Sequence, residues 1–388
     1  MKRVFRAVAI AVAAVLVGAV EAQAAAAWTI QPTVSPGTNS VLKAVSCATA
    51  NVCMAVGSYT DAQGDSRPLV ERWQGGSWTR LPSPTVSGEQ DSLYGASCPT
   101  TGQCMAVGAK YVQQNGYIVS WLPLVEQWDG ARWHRMEVPI PANSYAGLSA
   151  VSCTSTTACM AVGAYSPSER TYPLAERWDG TAWTFEQPFA QPPFGGDAWL
   201  DDVSCSTATT CAAVGAMCVS CDDYSARGFY LLAERWDGHE WSGGTLGQIT
   251  SDEAALSGVS CPTPATCVAV GTISPVTCGN CIAVAWKWNG ARWEDISPPP
   301  LASGYNALEA VSCVSASVCT AVGSPRCPVG CSLGTVVAEQ LVGDTWTMQP
   351  TAQPAASQFS QLNSVSCTHR SACTAVGETL GQTLAERY

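Results

Sequence analysis

The chain has 388 residues, with 19 Lys and Arg against 30 Asp and Glu and a formal charge of −11. That surplus repels nucleic acid and anionic membranes and tolerates cations and neutral ligands. Charged residues make up 13% of the chain, against about 25% in an ordinary soluble domain. Ion pairs are therefore not its main reinforcement, and its 20 cysteines, an even number, point to disulfides instead.

Residues 1–24 read as a signal peptide. Lys2, Arg3 and Arg6 form a positive head, 7–20 is an apolar run too short to span a bilayer, and "AQA" at 22–24 supplies the small residues of a cleavage site after Ala24. The rest, 25–388, is expected to be one exported domain, extracellular or at the cell surface, monomeric and without membrane insertion. Such a compartment permits disulfides.

After a first segment "AWTIQPTVSP" (27–36), one pattern recurs seven times. "SC" is followed six residues later by "C.AVG" or a near variant. The pairs are Cys47/Cys53, Cys98/Cys104, Cys153/Cys159, Cys205/Cys211, Cys261/Cys267, Cys313/Cys319 and Cys367/Cys373. In each copy a variable stretch, "PL.ERW", a "DG" turn and a further Trp follow. The segments are rich in Val and Trp and bounded by Gly, Pro, Asp and Ser, which predicts strands. Four strands per copy and seven copies predict an all-β fold, a seven-bladed β-propeller. "DG" at 129–130, 179–180 and 237–238 and "NG" at 289–290 read as two-residue type I′ turns, which would set Glu126 opposite Trp133. The last copy, 362–388, holds three strands, and 27–36 matches the missing fourth. Closing the ring this way hides both strand edges.

The W-D-G-x-x-W turn, as at 178–183, resembles the blades of secreted bacterial β-propellers, in the group that includes kelch-type and Asp-box (sialidase-type) repeats. In the Asp-box, Asp and Gly are separated by one residue; here they are adjacent. The resemblance therefore implies architecture and carries no activity across.

A residue present in nearly every copy is read as structural, because one site does not need seven copies. The repeated cysteine pairs offer two ligands each and bridge strands one and two more readily than they hold zinc. The serines at 46, 97, 152, 204, 260, 312 and 366 lack a base partner. The glycines at 57, 108, 163, 215, 271, 323 and 377 mark crowded or positive-φ backbone. Glu71, Glu126, Glu176, Glu234, Glu339 and Glu386 recur on strand three, with Trp286 in their place in the fifth copy. Twelve of 15 tryptophans are repeat residues; Trp121, Trp199 and Trp286 are not.

Variation is concentrated in the strand two–three loops and the blade-to-blade connections, which share one face. Three of these loops carry cysteine pairs of their own, Cys218/Cys221, Cys278/Cys281 and Cys327/Cys331. They read as small disulfide loops; two on adjacent blades would alternatively make a four-cysteine zinc site. Asp197, Asp201, Asp202, Asp222, Asp223, Asp252 and Glu253 gather in the same blades. At the position of Asp202 the other six copies have Ala, Gly or Ser, and a broken local rule is where function is sought. With Trp199, Tyr145, Tyr305 and Trp121 as aromatic plates, these carboxylates suit a sugar ring or a calcium-bridged ligand. A solvated acidic rim is the plainer alternative. No cofactor is implied, calcium being the ion this cluster could hold.

The sequence supports a non-catalytic recognition propeller that binds a glycan or a protein through its variable face. A glycoside hydrolase or lyase using two of these carboxylates is an alternative, and a structural cell-envelope protein a third. Sialidase chemistry fits poorly, since Arg72, Arg177, Arg235 and Arg387 are repeat residues and Arg67, Arg170, Arg227 and Arg326 are scattered. Copper chemistry fits poorly too, because His134, His239 and His369 lie in or beside the opposite, uniform turns.

Overall fold

The computed structural model describes residues 27–86, 89–114, 117–190, 196–219, 228–249, 253–274, 281–299, 307–324, 336–354 and 359–388. They form seven four-stranded antiparallel sheets set around a central channel, with no helix among them. In blade 1 the strands Thr38–Thr49, Val52–Thr60, Ser66–Gln74 and Ser77–Leu81 run in sequence order from centre to rim. No described helix is long and apolar enough to cross a membrane. The expected signal peptide lies outside the described residues.

Blade 7 is closed by the N-terminal strand. Ser360–His369, Ala372–Thr379 and Gln382–Arg387 are completed by Thr29–Gln31, in the register Thr29↔Arg387, Ile30↔Glu386 and Gln31↔Ala385.

Each sheet packs face to face with two neighbours, so its second strand is covered on both sides. Cys53 to Gly57 are buried without alternation for that reason. On the first strands Leu42, Leu93, Leu148, Leu200, Leu256, Leu308 and Leu362 are 0% exposed. Each such side chain contributes about 1.5–3 kcal/mol when taken from water. The expectation that crowding selects the repeated glycines holds. The first strand bulges at Leu42/Ala44, and a Cβ on Gly57 would lie 1.9 Å from the Val41 carbonyl oxygen.

The seven repeat cysteine pairs are disulfides, as the spacing predicts. Cys47 is joined to Cys53, Cys98 to Cys104, Cys153 to Cys159 and Cys205 to Cys211. Cys261 is joined to Cys267, Cys313 to Cys319 and Cys367 to Cys373. Bonds of this kind point to an oxidising environment. Cys218 is also disulfide-bonded; its expected partner Cys221 lies outside the described residues, as do Cys278, Cys327 and Cys331. Cys281 is buried, with its Sγ 3.5 Å from Ser274 Oγ.

The repeated serines link the blades. Ser46 Oγ accepts from Cys98 N, Ser97 from Cys153, Ser152 from Cys205, Ser204 from Cys261, Ser260 from Cys313, Ser312 from Cys367 and Ser366 from Cys47, all at 2.9–3.0 Å. The set closes on itself around the channel.

Two expectations need correction. The Asp-Gly and Asn-Gly turns are four-residue loops, with Trp128 paired to Trp133 and Trp178 to Trp183. Asp129 Oδ1 accepts from Ala131 N and Arg132 N at 2.8 Å, and Gly130 takes φ +96°. The carboxylate supplies acceptors that a two-residue turn would not need, and in blade 3 the Thr181 hydroxyl, with the N–H groups of Ala182 and Thr181, holds Asp179 down at about 2. The two-residue geometry occurs instead at Gly75–Gly76 and at Gly343–Asp344.

The register consequently sets Glu126 opposite Arg135, not Trp133. Three of the repeated glutamates grip the connection arriving from the preceding blade. Glu71 accepts from Val34 N, Glu126 from Ser83 Oγ, and Glu234 from Phe189 N and Ala190 N.

Candidate functional site: the variable face and the central channel

Two regions depart from the repeat. One is the central channel. The residues four before each first cysteine, Lys43, Tyr94, Ser149, Asp201, Ser257, Glu309 and Asn363, line a cavity of about 260 Å³. Their frame is fixed by the buried leucine on one side and the serine–cysteine bonds on the other. Tyr94 Oη lies 3.0 Å from Tyr111 Oη, and burial raises its hydroxyl pKa. Trp199 Nε1 donates to Asp201 Oδ2 at 3.1 Å.

The repeat disulfides do not line this channel. Their second cysteines, Cys53, Cys104, Cys159, Cys211, Cys267, Cys319 and Cys373, are only 1–5% exposed. Each sits in the apolar packing between sheets: Cys104 beside Trp128 and Trp133, Cys267 near Val259 and Trp288, Cys319 with Leu341 and Trp346, and Cys373 with Trp28 and Leu384. A sulfur enclosed in this way braces its blade.

Asp202 is in this channel and not on the outer rim. Its Oδ2 accepts from Val259 N at 2.7 Å and its Oδ1 from Val203 N at 2.8 Å. It therefore ties blade 4 to blade 5, as Ser364 Oγ ties blade 7 to blade 1 through Val45 N. Solvent reaches it only along the channel, and burial pushes its carboxyl up to about 7 against those two donors. The broken rule marks an inter-blade bond.

The other region is the face formed by the strand two–three loops and the blade-to-blade connections. Trp121 and Tyr145 stack here with centroids 4.4 Å apart, and Tyr145 is 40% exposed. Asp197 Oδ1 accepts from Thr171 N at 2.8 Å. Thus Trp199 meets Asp201 and Trp121 meets Tyr145, as two separate pairs. Asp222, Asp223, Asp252 and Tyr305 lie outside the described residues, as does the side chain of Glu253.

An ion network on this face escaped the sequence reading. Arg67 pairs with Asp61 and Asp65, both at 2.8 Å, and Arg135 with Glu89 at 2.6 Å and with Asp91. The hydrogen bond from Arg67 is the main reason the Asp61 carboxyl is held below its ordinary value. Burial raises Asp91 despite Arg135. A signal existed: seven residues before the cysteine, other blades have Ser40, Ala146, Ala198, Ala254 and Ser360. Among the described residues no cluster of three His, Cys, Asp or Glu could hold a metal ion.

No family model matches the chain, and no curated protein matches it in sequence. Solved structures do match in fold. A structure described as YCF48 bound to D1 peptide superposes with a TM-score of 0.53 at 11% identity, over 93% of this chain and 94% of that one. The GH74 xyloglucanase from Xanthomonas campestris gives 0.54 at 12% identity, over 92% of this chain and 53% of the enzyme. At these identities the likeness concerns the propeller alone.

Proposed function

We propose that this is an exported, monomeric, non-catalytic recognition propeller whose variable face binds a polypeptide ligand. The observation that carries this is where exposed apolar side chains fall. Of the ten large hydrophobics exposed among the described residues, seven belong to loops or strand ends of that face: Val34, Val86, Tyr145, Phe189, Ile282, Phe359 and Leu380. Single exposed apolar residues are ordinary, and it is their weighting toward one face, seven of ten, that favours it as the binding face. Five of the carboxylates described there already hold partners, Asp61 and Asp65 on Arg67, Glu89 and Asp91 on Arg135, and Asp197 on a backbone N–H. That supports binding over acid–base hydrolysis, which needs two carboxyl groups flanking the scissile bond. The peptide-bound structure of similar fold is consistent with this reading.

The test is binding by the full chain to an array of extended peptides, followed by the double variant Phe189→Ser, Phe359→Ser. Loss of the captured peptides with unchanged melting supports the face as the site. Retention of every ligand, or turnover of a glycoside panel by the parent protein, overturns the reading.

A further inference from the structure

Blade 5 breaks the repeat on its outer half. Where six blades have the strand-three glutamate, it has Trp286. In blades 1, 2 and 4 that carboxylate holds the arriving connection, as Glu234 holds Phe189 and Ala190. Ahead of blade 5 the fourth strand of blade 4 instead runs on for 9 residues, Trp241–Ile249, paired as far as Phe229↔Ile249. Gly243, Gly244 and Gly247 take φ of +132°, +145° and +133° along it, and nothing lies within 4 Å of where a Cβ on Gly244 or Gly247 would sit.

An open groove of about 470 Å³ results between blades 4 and 5, within the usual range for a ligand pocket. Trp286, Trp288, Trp293, Arg235, Arg292 and Ser242 line it. In blades 1 to 4 the paired tryptophans of the outer hairpin are 3–7% exposed, whereas Trp288 and Trp293 are both partly exposed. Arg235 has its Cζ 4.5 Å from the Trp288 ring centroid, and its Nη2 donates to Pro264 O at 2.9 Å. On the rim, Arg292 Nε donates to Glu294 Oε1 at 3.0 Å.

We propose that this groove binds a polysaccharide, one or two of its pyranose rings stacked on the indoles. An indole face is electron-rich and favours a flat partner with polarised C–H bonds, which the face of an equatorially substituted pyranose provides. The edge of such a ring carries adjacent hydroxyls, each needing a donor and an acceptor. Arg292 offers its remaining guanidinium donors, and Ser242 Oγ, which donates to Arg235 O at 3.5 Å, keeps its lone pairs as acceptors. A proline-rich segment would use the indoles but presents only carbonyl acceptors along its edge, leaving the Ser242 Oγ lone pairs unmatched. This site lies on the rim and is independent of the polypeptide face.

Calorimetry on the full chain with cellohexaose, chitohexaose and hexagalacturonate tests it. At least one is expected to bind with a millimolar or tighter Kd. Trp286→Glu, which installs the residue six other blades carry, is expected to weaken that binding by about tenfold or more. Arg292→Ala, at an exposed position that folding does not depend on, is expected to weaken it several-fold. Phe189→Ser on the polypeptide face is expected to leave it unchanged, so the two proposals can fail separately. The proposal is overturned if none of the three sugars binds, if both groove variants bind as the parent does, or if a proline-rich decapeptide occupies the groove with the same sensitivity to them.

Discussion

The indole of Trp28 and the phenol ring of Tyr388 lie 5.6 Å apart between centroids, tilted by 46°. Residues from the two ends of the described chain thereby reproduce the pair that Trp73 and Trp78, or Trp128 and Trp133, form at 5.7 Å within one hairpin. Trp28 is 2% exposed and its Nε1 donates to Gln349 Oε1 at 2.9 Å. It thus joins blade 7 to blade 6 as well as closing the ring.

Trp28→Ala is accordingly expected to cost about 3–5 kcal/mol, the range for removing a large buried aromatic side chain. Deleting 25–36 should do more, because it also exposes the edge of Gln382–Arg387. Denaturant unfolding of the two variants measures both; a deletion variant as stable as the parent would contradict the closure.

Reduction should lower the melting temperature sharply. Each repeat disulfide closes a ring with a sequence separation of 6, worth roughly 2.4 kcal/mol on the chain-entropy account. Differential scanning calorimetry with and without reductant reads the effect, and indifference to reductant would remove the staple argument.

Stability should fall as pH rises from about 4 to about 8. Burial pushes Glu71 and Glu126 up to about 7, Glu176 and Glu386 to about 8, and Asp202 to about 7. Between the unfolded and folded values the native state holds more protons than the unfolded chain, so the slope of unfolding free energy with pH is negative. Each retained proton contributes about 1.4 kcal/mol per pH unit inside its window. The favourable contribution is complete below the unfolded value and lost as pH passes the folded one. Glu176 is 0% exposed and neither carboxylate oxygen has a partner among the described residues. Glu176→Gln should therefore flatten the slope; denaturant midpoints at pH 5 and pH 8 give the comparison.

Ser204→Ala removes the acceptor for Cys261 N and should cost about 1–3 kcal/mol, the penalty for orphaning a donor in a packed interior. Native-state hydrogen exchange at Cys261 reports it directly, and unchanged protection there would show that the serine–cysteine ring does not hold the blades.

Residues that had to be the same seven times were the legible ones. The cysteines, glycines and the unfinished last copy fixed blade number, strand count and closure, because packing against two neighbours leaves such positions little choice. The Asp-Gly turns were misread because that dipeptide favours a two-residue turn locally. Its alternative depends on an aspartate side chain reaching forward to Ala131 and Arg132, which spacing alone does not reveal. Asp202 was visible as an exception, yet its partner, Val259 N, belongs to the next blade and became apparent only in three dimensions. The pairing of Arg135 with Asp91 was hidden similarly, since the residues come from opposite sides of a sheet and only their packing brings the charges together.

The serine–cysteine ring has no first member, for Ser366 hands on to Cys47 as Ser46 does to Cys98. Blade order along the chain is thus a matter of where the circle happens to be cut. A four-residue Asp-Gly loop from Tyr388 to Trp28 would match the link between Trp128 and Trp133, and the chain could then be reopened in the Asp61–Asp65 turn. Circular permutants made this way should keep the same seven blades, with old blade 1 divided between the new ends.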